Sequence, residues 1–123
     1  MRESGENYLE TILLLQKKLG CVRSIDIANK LDYSKPSVSR AMSILKKQDY
    51  ITMDKSGFIE LTEKGLKTAR EIYERHTLIQ EFLIETLGVE PDIAEQDACR
   101  IEHIISVRTF DRIREYVQEH HQS

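Results

Sequence analysis

The sequence predicts a mainly α-helical fold: an N-terminal winged helix-turn-helix with a small β-hairpin wing over residues 1–62, then a C-terminal helical dimerisation domain over 63–123. Three observations predict it. The stretch from Ser24 to Gln48, SIDIANKLDYSKPSVSRAMSILKKQ, reads as two short helices separated by a polar break. Tyr50 to Leu61 reads as two β-prone runs around a glycine turn. Beyond Thr62, apolar residues recur at helical spacing almost to the end, punctuated by Gly88 and Pro91.

Taken in order, the first helix runs from about Gly5 to Leu19. Tyr8, Ile12, Leu15 and Leu19 form one stripe, Leu9 and Leu13 widen it, and Gly20 ends it. Cys21 has no partner at ligand spacing and is expected to be a small buried hydrophobe. Ser24 is the expected N-cap of the next helix, in which Ile25, Ala28 and Leu31 make a narrow stripe with Ile27 on its flank. Asp32, Tyr33 and Ser34 break that pattern. A new helix can begin at Ser34, whose hydroxyl can accept from an otherwise unpaired backbone N–H, and Pro36 is tolerated in a first turn.

This third helix is two-faced. Val38, Ala41, Met42 and Leu45 recur at i, i+3, i+4 and i+7 and suit a core. Lys35, Ser37, Ser39, Arg40 and Ser43 face the other way, a small, hydroxylated and cationic surface with no acid. Such a helix fits a DNA major groove about 12 Å wide, where Arg and Lys donate to phosphates or guanine edges. An ordinary helical hairpin with a solvated polar face would look similar. The hairpin that follows favours the first reading: Tyr50-Ile51-Thr52-Met53 and Phe58-Ile59-Glu60-Leu61 flank Asp54-Lys55-Ser56-Gly57, so a wing stands directly after a recognition helix. Lys55, at its tip, is placed for backbone phosphate. Ser34, Lys35, Pro36, Ser37, Ser39, Arg40, Ser43 and Lys55 are therefore the expected contacts to double-stranded DNA.

Charge follows the same division. Of 123 residues, 18 are Lys or Arg and 21 Asp or Glu, a net −3 that by itself argues against a nucleic-acid partner. Through Thr62 there are 10 cations against 8 acids, and from Glu63 onward 8 against 13, so the positive side chains sit with the helix-turn-helix. Two distant cysteines make no disulfide framework. No run is long and apolar enough for a bilayer and no leader pattern opens the chain, so a soluble cytoplasmic protein without a membrane partner is expected.

After the wing, Thr62 has the character of a cap, and a long helix follows through Leu66, Ala69, Ile72, Tyr73 and His76 toward Leu87, closed by Gly88. Pro91 opens another, through Ile93, Ala94, Ala98, Ile101, Ile104 and Ile105. The last, from about Thr109, carries Phe110, Ile113 and Val117 on one side and frays over Glu119 to Ser123. Three such helices expose more apolar surface than a small monomer keeps, so a homodimer is expected.

Cys99, Glu102 and His103 fall at i, i+3 and i+4 of one helix and converge within a turn. A thiolate, a carboxylate and an imidazole suit a divalent transition metal better than Ca²⁺ or Mg²⁺. His76 with Gln80, and Asn7 with Glu10, are pairs at helical spacing that could add ligands or support them. A buried cysteine beside a surface Glu–His pair is the bland alternative.

The ordered set GENYLETI, SIDIANKL, SKPSVSRAM, the wing ending in LTEKG, RHTLIQEFL and ACRIEH resembles the iron- and manganese-dependent repressor family over nearly the whole chain. The resemblance implies a winged-helix domain and a helical dimerisation domain that bind a palindromic operator when divalent metal is present, in the short form without an SH3-like third domain. It implies Fe²⁺ or Mn²⁺ first, with Zn²⁺, Co²⁺ or Ni²⁺ also accommodated. By position, Cys99, Glu102 and His103 match the iron-type primary site, whereas manganese-type members have a carboxylate at Cys99. His76 matches a ligand of both types, and Glu10 a carboxylate of the manganese type. Asn7 replaces Asp or Met, Gln80 replaces a glutamate, and Glu95 stands in place of a histidine.

The function expected is a metal-dependent, homodimeric DNA-binding repressor of metal-uptake genes. A winged-helix regulator whose degenerate site no longer senses metal is the alternative. A small metalloenzyme built on Cys99, Glu102, His103 and His76 is disfavoured, because the chain offers no recognisable nucleophile, phosphate loop or second acid–base set.

Overall fold

The computed structural model describes residues 3–121. Among them the chain forms six α-helices and one antiparallel hairpin: α1 (Glu3–Leu19), α2 (Ser24–Leu31), α3 (Lys35–Lys47), β1 (Ile51–Met53), β2 (Ile59–Leu61), α4 (Glu63–Leu87), α5 (Pro91–Ile101) and α6 (Val107–His121). The chain divides into two compact units, residues 1–71 and 72–123, and the division falls inside α4. The predicted fold class holds.

In the first unit one core gathers Leu9, Ile12 and Leu13 of α1, Ile27 of α2, Val38, Met42 and Leu45 of α3, and Ile51 and Ile59 of the hairpin. Ile51 pairs with Leu61, Thr52 with Glu60 and Met53 with Ile59. Val22 extends the hairpin by a bridge to Ile59, whose N–H donates to the Val22 carbonyl at 2.7 Å. That bridge corrects one expectation. Because Val22 is wholly buried in the core, its neighbour Cys21 faces away, and the thiol is exposed.

Local caps follow elementary rules, with adjustments. The Ser34 hydroxyl accepts from the Ser37 N–H at 3.3 Å and caps α3, as expected. Ser24 is not the cap of α2; it is the first helical residue. Arg23 takes the cap position, and its N–H donates to the Asp26 carboxylate at 2.9 Å. With the helix so phased, Ala28 is buried and Leu31 packs against the core as the spacing predicts, but Ile27 takes the core position expected of Ile25, which is exposed. Likewise Leu19, at the end of α1, lies outside the core.

Thr62 joins the hairpin to α4. Its hydroxyl accepts from the Gly65 N–H at 3.0 Å and donates to the Asp49 carbonyl at 2.6 Å. The Thr62 N–H donates to the Tyr50 carbonyl, so the start of α4 lies directly on the start of β1.

In the second unit, Ile79 of α4, Ala98 of α5 and Phe110 of α6 are buried together, with Leu78, Leu83, Ile101, Ile105 and Ile113 packed around them. Phe82 and Tyr116 meet edge to face with ring centroids 5.8 Å apart, and Arg114 reaches Glu74 at 3.3 Å. The expected helix through Ile105 is shorter: α5 ends at Ile101, and the chain turns over 102–105. The cause is a cap that the apolar pattern hid. Ser106 accepts the Thr109 N–H on its hydroxyl and the Phe110 N–H on its carbonyl, starting α6 at Val107. That helix continues to His121, so the fray expected over Glu119 to His121 is absent, while Gln122 and Ser123 lie outside the described residues.

Candidate metal centre and nucleic-acid interface

The metal candidates of the second unit come from two helices. His76 lies mid-α4, Cys99 near the end of α5, and Glu102 is the C-cap of α5, still held in helical geometry by its N–H to the Ala98 carbonyl at 3.0 Å. His76, Cys99 and Glu102 each offer a ligand atom, and these atoms lie within 4.8 Å of one another. His103 follows the helix end and brings Nε2 to 3.4 Å from Glu102 Oε1, beside the set of three. His76 Nδ1 stands 3.9 Å from the same oxygen.

Glu102 is the decisive residue. Its side chain is wholly buried, yet neither carboxylate oxygen accepts a hydrogen bond. A buried carboxylate without donors is costly. A divalent cation coordinated by oxygen, imidazole nitrogen and thiolate sulfur removes that cost, and mixed donors of this kind hold Fe²⁺, Co²⁺ or Zn²⁺ and, through oxygen, Mn²⁺. The residues present therefore fit a transition metal.

Glu10 is buried in α1 of the first unit. Asn7, one turn earlier, is half-buried, with its carbonyl accepting from the Thr11 hydroxyl at 2.8 Å. Gln80 is half-buried on α4, one turn beyond His76, and Glu95 is exposed on α5 outside the set.

The DNA candidates are exposed residues of the first unit. Ser34, Lys35, Pro36, Ser37, Ser39, Arg40 and Ser43 are all exposed on or before α3, opposite buried Val38, Met42 and Leu45. Lys55 is exposed at the wing tip, where the Asp54 carboxylate accepts the N–H groups of Ser56 and Phe58, both at 2.9 Å, and Gly57 takes a left-handed φ of 85°. Sequence reasoning passes over Arg23, whose guanidinium lies 4.3 Å above the Phe58 ring and braces the base of the wing. A cation at the cap position, three residues before an acid, was the available signal.

Family models match both halves of the chain. The iron-dependent repressor N-terminal DNA-binding domain matches residues 1–58, and the iron-dependent repressor metal-binding and dimerisation domain matches residues 62–123. The chain belongs to the iron-dependent repressor family. It is 37% identical to the transcriptional regulator MntR of Escherichia coli, over 97% of this chain and 76% of that protein. It is 30% identical to an uncharacterized HTH-type transcriptional regulator of Methanocaldococcus jannaschii, over 97% of this chain and 96% of that one. Among solved structures it resembles the manganese regulator SloR, with a TM-score of 0.81 and 30% identity over 93% of this chain and 53% of that one. A manganese-dependent transcriptional repressor in complex with manganese gives 0.85 and 26%, over 93% and 52%. The chain thus spans about half the length of these solved regulators. Family members are transcriptional regulators, and among the described residues no helix is long and apolar enough to cross a membrane.

Proposed function

We propose that this protein is a homodimeric, metal-dependent transcriptional repressor, acting in the cytoplasm, without enzymatic activity, on a palindromic operator upstream of metal-uptake genes. Residues 1–62 bind DNA, and residues 63–123 hold the ion and the second copy. The observation that carries the reading is the buried, hydrogen-bond-free carboxylate of Glu102 among His76 and Cys99, in a chain that also presents an acid-free cationic recognition helix. His76, Cys99 and Glu102 are the proposed core ligands, His103 holds Glu102, and Glu10 and Asn7 are the further candidates that the family likeness names. The ion supplies positive charge to a buried acid and thiolate. Fe²⁺ and Mn²⁺ are the proposed activators, with Zn²⁺, Co²⁺ and Ni²⁺ able to substitute. The test is metal analysis of the purified protein beside its affinity for a selected operator, with and without chelator: affinity is expected to fall on chelation, and metal-independent binding would refute the reading.

The DNA surface makes its own prediction. Arg40→Ala is expected to weaken operator binding by about 1–3 kcal/mol if it reads a base edge, and Lys55→Ala to act uniformly across sequences and to flatten the salt dependence as a phosphate contact. Filter binding or anisotropy at matched salt reads both. Parental affinity in both variants would place the DNA surface elsewhere.

The second unit leaves Leu87, Ile93, Ile104 and Val107 exposed, the last two at 75% and 77%. Large apolar side chains so exposed suit a self-complementary face, and a two-fold pairing of the residues beyond Thr62 is the proposed use. Sedimentation is expected to report a dimer with or without metal. A stable monomer at micromolar concentration would overturn the pairing.

Charge at the candidate site can also be tuned. Asn7→Asp restores an acid at a candidate position, and Mn²⁺, the harder ion, gains most from an oxygen anion. The substitution is expected to tighten Mn²⁺ binding about tenfold or more and Fe²⁺ less, measured by anaerobic titration. Equal or absent changes would remove Asn7 from the ligand set.

A further inference from the structure

We infer that the ring pair Tyr8–Tyr33 is a strut that sets the aim of the recognition helix from α1, making both tyrosines positioning residues for operator binding. The inference rests on α3 being the DNA-reading helix. Tyr8 is buried on α1, and its ring meets Tyr33 edge to face, with centroids 6.0 Å apart and planes at 77°. Offset contacts of this kind are the favoured aromatic geometry, since the positive ring edge of one partner lies on the negative face of the other. Burial first, and then the neighbouring Tyr33 phenol, push the Tyr8 phenol above its ordinary pKa, so Tyr8 enters the contact as a neutral ring throughout the physiological range.

The position of Tyr33 gives the contact its consequence. It lies in the turn between α2 and α3, after Asp32 in the left-handed region at φ 56° and directly before Ser34, the cap of α3. Its own N–H donates to the Ala28 carbonyl at 3.1 Å. The turn is therefore pinned at α2 by that bond, at α3 by the Ser34 cap and at α1 by the ring contact. A shift of α1 reaches the start of α3, where Ser34, Lys35, Pro36 and Ser37 are presented, with Arg40 one turn further on. Tyr33 itself is 46% exposed, more than a core role would need.

The test uses the full-length protein and a duplex selected from a randomised library by the Mn²⁺-loaded parent. Tyr33→Ala and Tyr8→Leu are each expected to reduce the Mn²⁺-loaded affinity for that duplex by about tenfold. Affinity for a scrambled duplex, metal-free affinity and Mn²⁺ binding without DNA should be unchanged. The double variant should cost no more than the worse single one, and Tyr33→Phe should keep the parent's affinity. If Tyr33→Ala loses affinity while a folded Tyr8→Leu does not, Tyr33 is a direct DNA contact and the strut is refuted. Additive losses, equal losses on selected and scrambled duplexes, or no loss refute it too. Should Tyr8→Leu not fold, the exposed position decides: Tyr33→Leu and Tyr33→Ala must both lose affinity where Tyr33→Phe does not. A parent that selects no duplex would instead overturn the proposed function.

Discussion

Glu102→Ala is expected to lose metal-dependent DNA binding, with metal affinity falling more than about a hundredfold. That is beyond the roughly 10–100-fold typical when a group merely supporting a ligand is removed. The expectation follows from the state of its carboxylate: wholly buried, accepting no hydrogen bond, with donor atoms of His76 and Cys99 within 4.8 Å. A residue of that kind contributes little to the metal-free fold, because no hydrogen bond in the protein repays the burial of its carboxylate. Two readouts should therefore separate. The melting temperature of the metal-free protein should be retained, and the rise that Mn²⁺ or anaerobic Fe²⁺ gives the parent should vanish. His103→Ala, beside the set at 3.4 Å from Glu102, should cost about 10–100-fold and leave a residual response. The double variant should cost little more than Glu102→Ala alone, since both act on one ion. A Glu102→Ala protein that keeps its metal response would reduce the set to a packed helix end, and the protein to a winged-helix regulator without this sensor.

A second large effect is expected far from the ion, at Gly65. A Cβ placed there would lie against the Tyr50 carbonyl oxygen and crowd its carbon at 2.9 Å. The obstacle is backbone, a carbonyl already held by the Thr62 N–H at 3.0 Å, so no side-chain rotation relieves it. Gly65→Ala is expected to destabilise the first unit by about 3 kcal/mol, a fall in melting temperature on the order of 10 °C or more. Gly57→Ala is the informative comparison, because an added methyl there meets nothing and only left-handed strain remains, about 1–2 kcal/mol. If the two variants melt alike, the close approach of α4 to β1 does not limit stability.

The features legible without coordinates are those whose physics is local. Ser34 and Pro36 start α3, Thr62 starts α4, Gly88 and Pro91 separate α4 from α5, and Asp54 to Gly57 turn the hairpin. Caps, turns and a 3.6-residue stripe need only neighbours within about four positions. The outer face of α3 was legible for the same reason, and so was the spacing of Cys99 with Glu102. Where two local signals compete, the apolar pattern is not decisive: the isoleucine run continues past Ile101 while Ser106 caps the next helix, and Ser24 stands beside the actual cap, Arg23. Tertiary structure alone decided the rest. Whether Ile25 or Ile27 enters the core, and whether Cys21 is buried or exposed, depends on how α2 and Val22 meet partners remote in sequence. That His76 comes to Cys99 and Glu102 depends on α4 packing with α5 over Ile79 and Ala98. Glycine at Gly65 and the ring of Tyr33 acquire roles only because Tyr50 and Tyr8 are brought against them. Periodicity states which face of a helix is apolar; which neighbour covers it is settled by the joint packing of all of them, which no single stretch of chain contains.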